Sequence, residues 1–171
     1  TRRTLRVIPR LHLVTDDGIL ARGDFISRAE ELLALGRGAI ALHLRGPGTP
    51  GRALYELGAV LAARAAESGS LLLVNDRLDV ALALGIEGLH LGQRSVPVRV
   101  ARSLVGPGAI LGLSVHRASE AGGEASQGVD FLLAGTIFAT ASHPEREPAG
   151  LERIREVRGV SRLPVLAIGG V

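Results

Sequence analysis

The chain has 171 residues, 46% of them apolar, with 20 basic and 17 acidic residues and a formal charge of +3. That is enough chain for one domain with a sizeable core, and too apolar for a disordered segment. Cysteine is absent, which excludes disulfides, thiolate metal sites and cysteine nucleophiles and fits a cytoplasmic protein, and no apolar run is long enough to suggest a membrane partner.

Short runs rich in Leu, Val and Ile recur along the chain. They are Leu11–Thr15, Ala39–Arg45, Leu71–Asp76, Gly88–Gly92, Ile110–Val115, Phe131–Phe138 and Pro164–Val171. Their near-continuous hydrophobicity, without alternation, marks parallel strands buried on both faces. Helical periodicity lies between most of them. Phe25, Ala29, Leu32 and Leu33 form one apolar stripe, ended by Gly36 and Gly38, and Leu54, Leu57, Val60 and Leu61 form the next. The segment Asp79–Leu84 makes a compressed crossover, and Ala118–Gln127 and Gly150–Val157 are further helix candidates. Strands alternating with helices give βαβ units and a parallel sheet. No G-x-G-x-x-G follows the first strand, so seven such strands predict a TIM (β/α)8 barrel rather than a dinucleotide-binding sheet. The expectation is one barrel domain over residues 1–171, with the eighth strand and its helices belonging to a longer chain. A homo-oligomer is compatible with this reading.

Polar residues at the C-terminal ends of barrel strands are the functional candidates. Here they are His43 and Arg45 after the second run, Asn75 and Asp76 after the third, His90 and Gln93 in and after the fourth, Ser114 and His116 at the end of the fifth, and Thr140, Ser142 and His143 after the sixth. Gly169 and Gly170 follow the seventh. Each also has a plain structural reading. Arg45 suits a surface ion pair, Asn75 and Asp76 suit a turn, His90 suits a hydrogen-bonded core position, and the glycine pair suits a turn. Their shared placement favours function. All 20 basic residues are arginine, so a phosphate must be held by guanidinium groups, backbone N–H groups or hydroxyls. The arginines are dispersed and there are only three Phe and one Tyr, so no base-stacking platform and no nucleic-acid partner are expected.

The strings VNDRLDVALALGIEGLHLGQ, LGLSVH, FLLAGTIFATASHPEREPAG and PVLAIGGV, in this order and spacing, resemble the successive signatures of the thiamine phosphate synthase/TenI family over residues 11–171. The resemblance implies one of two activities. The synthase joins hydroxymethylpyrimidine diphosphate to a thiazole phosphate with Mg2+. The TenI branch includes a thiazole tautomerase that aromatises a thiazole carboxylate phosphate by moving a proton. Where the synthase pattern has Gln-Leu-Arg-x-Lys, this chain has His43-Leu44-Arg45-Gly46-Pro47. Ser95 stands at the family's magnesium-binding aspartate, and His143 at a second lysine. A departing diphosphate needs cationic stabilisation that these changes remove.

The departures point to a tautomerase, an isomerase that needs no cofactor. His116 is its general acid/base, with His43 as the competing candidate, because histidine both takes and gives a proton near neutral pH. Arg45, Asn75, Asp76, His90, Gln93 and Ser114 are assigned to the substrate, and Thr140, Ser142, His143, Gly169 and Gly170 to its phosphate. The partner is a small phosphorylated thiazole, and no metal is expected. The alternatives are the synthase itself, with Mg2+, and a non-catalytic regulator that only binds a thiamine precursor.

Overall fold

A computed structural model describes residues 7–86, 88–140 and 147–171. Seven parallel strands alternate with helices along the chain, the repeat of a (β/α) barrel. The residues group into two compact units, Thr1–His90 with Val105–Ala109, and Leu91–Leu104 with Ile110–Val171.

In the first unit β1 (Leu11–Val14), β2 (Ile40–Leu44), β3 (Leu71–Asn75) and β4 (Gly88–Leu91, its last residue assigned to the second unit) pair in parallel and in chain order. Every residue of β2 and β4 is buried, as is all of β3 after Leu71. This is what the unbroken apolar runs predict for strands covered on both faces. A short helix, α1 (Asp17–Leu20), was not legible from periodicity. Asp16 caps it, its carboxylate accepting the Ile19 N–H at 2.8 Å. The next two, α2 (Phe25–Gly36) and α3 (Gly51–Ser68), turn Phe25, Ala29 and Leu33, and Leu54, Leu61 and Ala65, inward. The crossover α4 (Leu78–Leu84) has only seven residues, the compression visible in the sequence.

In the second unit β5 (Ile110–Val115), β6 (Phe131–Ala134) and β7 (Val165–Ala167) pair in parallel, again in order. Strand β6 is fully buried, and Phe131 is its largest core side chain. Strand β6 stops at Ala134 and β7 at Ala167, each four residues before the end of its apolar run. The remaining residues of those runs form the loops where chemistry belongs. Helix α5 (Val98–Val105) lies outside the helices expected. The predicted helix 118–127 breaks at Gly122 into α6 (Ala118–Ala121) and a 3-10 turn (Gly123–Ser126). The last helix, α7 (Glu152–Val160), starts and ends two or three residues later than predicted.

Candidate active site

Three histidines meet at the strands of the first unit. His43 on β2 is fully buried and His90 on β4 nearly so. The His43 Nε2 lies 2.8 Å from Nδ1 of His12 on β1, and its Nδ1 lies 2.9 Å from the side-chain amide of Asn75 at the end of β3. The other His12 nitrogen, Nε2, donates to the Pro9 carbonyl at 3.0 Å. The His90 ring stands edge-on to His43, with centroids 5.2 Å apart. Burial pushes His43 well below its ordinary range, aided by repulsion from His90 and His12. Burial likewise lowers His90 to about 3, and lowers His12 despite its bond to Pro9. These rings are therefore neutral near pH 7. His43, expected to compete as a catalytic base, is instead sealed from solvent with both nitrogens hydrogen-bonded. His90 is buried beside it, edge-on to the same ring.

The other candidates of this unit lie at the strand ends. Thr15, 4% exposed, ties β1 to β2 by donating to the Arg45 carbonyl at 2.9 Å and accepting the Arg45 N–H at 2.9 Å. Arg45 itself is half-buried. Its charge helps lower the pKa of Asp17, after the larger effects of Thr49 Oγ1 and the Gly48 N–H, which both donate to that carboxylate. Asp76 is exposed and sits at φ 63°, a left-handed conformation that aspartate tolerates better than most residues. Its N–H donates to the His90 carbonyl at 2.9 Å, which fixes the strand end.

The second unit holds an open polar cleft of about 490 Å³ lined by Gln93, His116, Arg117, Glu120, Gly135, Thr136, Glu147, Ala149 and Arg153. Of the residues expected at the site, Gln93 and His116 line it. Ser114 lies one turn of the strand before His116 and is not part of the lining. His116 Nδ1 is 2.6 Å from the Gly135 carbonyl. A carbonyl only accepts, so Nδ1 carries the proton and Nε2 of the neutral ring keeps its lone pair. Glu120 fixes the loop as well, because its Oε2 accepts the His116 N–H at 2.6 Å, and Gln93 donates to its Oε1 at 3.4 Å. Glu120 is the third residue of α6, placed to reach back over the helix start like the acid of a capping box.

Arg117, Glu120, Thr136, Glu147 and Arg153 were not among the expected residues. Arg153 is 22% exposed and pairs with Glu156 at 3.2 Å. It lies in a helix, ERIREVRGV, in which five of nine residues are charged, so nothing in the pattern singles it out. The Glu120 spacing from the helix start was a legible signal.

Thr140 is half-buried, while Ser142 and His143 lie outside the described residues. Gly169 and Gly170 adopt φ of +99° and +68°. A Cβ at Gly169 would stand 2.6 Å from Thr136 Cγ2, and one at Gly170 would meet the Ala139 carbonyl. Close passage against the loop after β6 thus requires both glycines, whatever they bind.

The described residues do not build a closed magnesium site. Ser95, at the position where the family resemblance implies a carboxylate, accepts the Gly92 N–H on its Oγ at 2.9 Å. Among the described residues no cluster of three His, Asp or Glu could hold a metal ion, which leaves the exposed Asp76 as a single ligand.

The parallel strands and their alternating helices define the α/β class of barrel proteins. The family model described as thiamine monophosphate synthase, TMP-TENI, matches residues 11–171, and the chain belongs to that family. It is 43% identical over 139 residues to the thiamine-phosphate synthase of Moorella thermoacetica, covering 81% of this chain and 66% of that protein. It is 39% identical over 162 residues to the thiamine-phosphate synthase of Desulfitobacterium hafniense, covering 94% and 77%. The chain thus spans about two thirds to three quarters of these relatives' length. The solved thiamine phosphate pyrophosphorylase from Pyrococcus furiosus superposes with a TM-score of 0.76 at 33% identity, covering 95% of this chain and 76% of that one.

These relatives overturn the tautomerase expectation, since they are named as synthases and none of them supports an assignment to the TenI branch. The physical reason lies in the composition. Pro47 and His143 remove lysines at two positions, but the chain carries 20 arginines, and Arg117 and Arg153 line the cleft, so losing two lysines does not leave the site without cations.

Proposed function

We propose that this chain is a thiamine-phosphate synthase, a transferase that joins hydroxymethylpyrimidine diphosphate to a thiazole phosphate. The observation that carries the reading is the 39–43% identity to proteins of that name over most of the chain. In the reaction the bond from the pyrimidine methylene to the diphosphate oxygen breaks. A bond from that carbon to the thiazole nitrogen forms, and pyrophosphate leaves.

The cleft of the second unit is the candidate for the phosphorylated thiazole. Arg153 and Arg117 supply cations there, in place of the lysines the chain lacks. Thr136, Thr140 and the N–H groups around Gly169 and Gly170 supply donors to phosphate oxygens. His116, with its lone pair on Nε2, accepts a hydrogen bond or a proton in the same cleft. Asn75 and Asp76 at the end of β3, and Arg45 at the end of β2, are the polar groups that the first unit offers to a ligand. The reading also makes this a cytoplasmic enzyme, and no helix among the described residues is long and apolar enough to cross a membrane.

The test is release of pyrophosphate from the purified protein, with and without Mg2+. The proposal expects release only when both substrates are present. Tight binding of either substrate with no release under any condition would leave a binding protein in place of the enzyme.

A further inference from the structure

The buried contacts of the first unit form a chain with a direction. Pro9 offers only a carbonyl, so His12 Nε2 must carry a proton to meet it at 3.0 Å. Two arrangements then satisfy every contact. If His12 is neutral, its Nδ1 holds a lone pair, and His43 must donate to it from Nε2 across the 2.8 Å gap. The His43 Nδ1 is then a lone pair, and the 2.9 Å contact to the Asn75 amide needs the amide NH2 turned toward the ring. The Asn75 oxygen points the other way. If His12 is an imidazolium, Nδ1 donates to His43 Nε2. The proton of His43 moves to Nδ1 and meets the Asn75 oxygen, so the Asn75 NH2 points away. An amide turned over occupies the same space, so packing does not choose between the two.

We propose that His12, His43 and Asn75 form a directional hydrogen-bond chain in which the proton on His12 sets whether Asn75 presents an oxygen or an NH2 at the C-terminal end of β3. Asn75 is 9% exposed, and the rest of the amide makes no other hydrogen bond among the described residues. Its outer atom is thus left for a ligand.

The surroundings decide which state holds near neutrality. Among the described residues, the titratable groups set against His12 are His43 from β2 and His90 from β4, both held neutral by burial, so neither offers a negative charge to an imidazolium there. Burial lowers His12 as well. At pH 7 and above, Asn75 therefore presents its oxygen, which accepts from an N–H or amino group and refuses a second acceptor. On acidification His12, the most accessible of the three rings, takes the proton and the preference reverses. The ligand-selecting consequence rests on the synthase reading, whereas the chain itself does not.

Nitrogen-15 NMR of the histidine rings tests the chain directly, because Nδ1–H, Nε2–H and imidazolium forms have separate signatures. The signals are assigned with His12→Gln and His43→Gln. At pH 8 both His12 and His43 should be Nε2–H forms, with a coupling across the hydrogen bond from the Asn75 NH2 to His43 Nδ1. As His12 titrates, His43 should convert to the Nδ1–H form. Asn75→Asp, which can only accept, should impose the Nδ1–H form on His43 at pH 8 and raise the His12 midpoint. An Nδ1–H form of His43 at pH 8 in the unaltered protein would overturn the proposal. So would an unchanged His43 form while His12 titrates, and so would a folded Asn75→Asp protein that keeps Nε2–H. The pH 8 measurement on the unaltered protein decides even if that variant does not fold. A missing synthase activity with the predicted ring forms would count against the enzyme reading alone.

Discussion

At Arg153 and His43, single side chains carry different kinds of work. Arg153 stands in the cleft and pairs with Glu156. Charge-assisted hydrogen bonds to a phosphate contribute about 1.5–3 kcal/mol, or roughly tenfold to a hundredfold in affinity. Arg153→Gln should therefore raise KM for the thiazole phosphate by about that factor while kcat falls less. Steady-state kinetics with each substrate varied in turn checks this. An unchanged KM would remove Arg153 from the phosphate site.

His43 and His90 act on stability. Their folded pKa values lie below the unfolded value of about 6.5, so the unfolded chain binds more protons once the pH falls through that value. Stability is full above about 6.5 and is lost on acidification, by about 3 kcal/mol for the pair between pH 7.5 and 5.5. Urea unfolding at the two pH values measures it, and a flat profile would mean that the rings are accessible in the folded state. The sequence shows His43 and His90 near strand ends but not their burial. Nothing in it pairs His12 with His43, because that contact depends on strand register.

Among the elements, β4 and the segment joining β5 to β6 show how local sequence becomes position. Strand β4 starts at Gly88, where a Cβ would collide with the Leu72 carbonyl on β3. Backbone cannot yield as a flexible side-chain end does, so Gly88→Ala should cost about 2–4 kcal/mol and disturb the placement of His90. Thermal unfolding checks this, and a loss under about 0.5 kcal/mol would mean that the strands slide apart freely.

Asp130 precedes β6. It accepts from Arg102 of α5 at 2.8 Å and from the Leu111 N–H at 2.8 Å. Both side chains of the ion pair are 18% exposed. Removing one partner of such a shielded pair leaves the other charge poorly solvated. Asp130→Ala should destabilise by about 2–4 kcal/mol, more than any exposed pair such as Arg52 with Glu56. The strands were legible because their apolar runs are unbroken, and α2 and α3 because their stripes are long. Helix α5 was missed because VRVARSLV is only eight residues long, although its arginines and its apolar residues fall on opposite sides at helical spacing. Helix α6 was overextended because the break at Gly122 and Gly123 reads as an ordinary helix interruption.

For the whole molecule, fold and family were legible in the sequence while the reaction was misread. The family signatures run from residue 11 to residue 171, the stretch the family model matches. The tautomerase expectation weighed Pro47, Ser95 and His143 one by one, as lost synthase groups. It gave no weight to cations from elsewhere in the chain, and arginines enter the cleft from Arg117 and α7. The hydroxyl of Ser95 accepts the Gly92 N–H.

The central claim is that this chain makes thiamine phosphate. The most direct measurement is mass spectrometry of the product after the purified protein is given hydroxymethylpyrimidine diphosphate, thiazole phosphate and Mg2+. The account predicts thiamine phosphate in one-to-one amount with pyrophosphate, formed at rates of order 1 per second. No thiamine phosphate from folded protein that binds both substrates would contradict it.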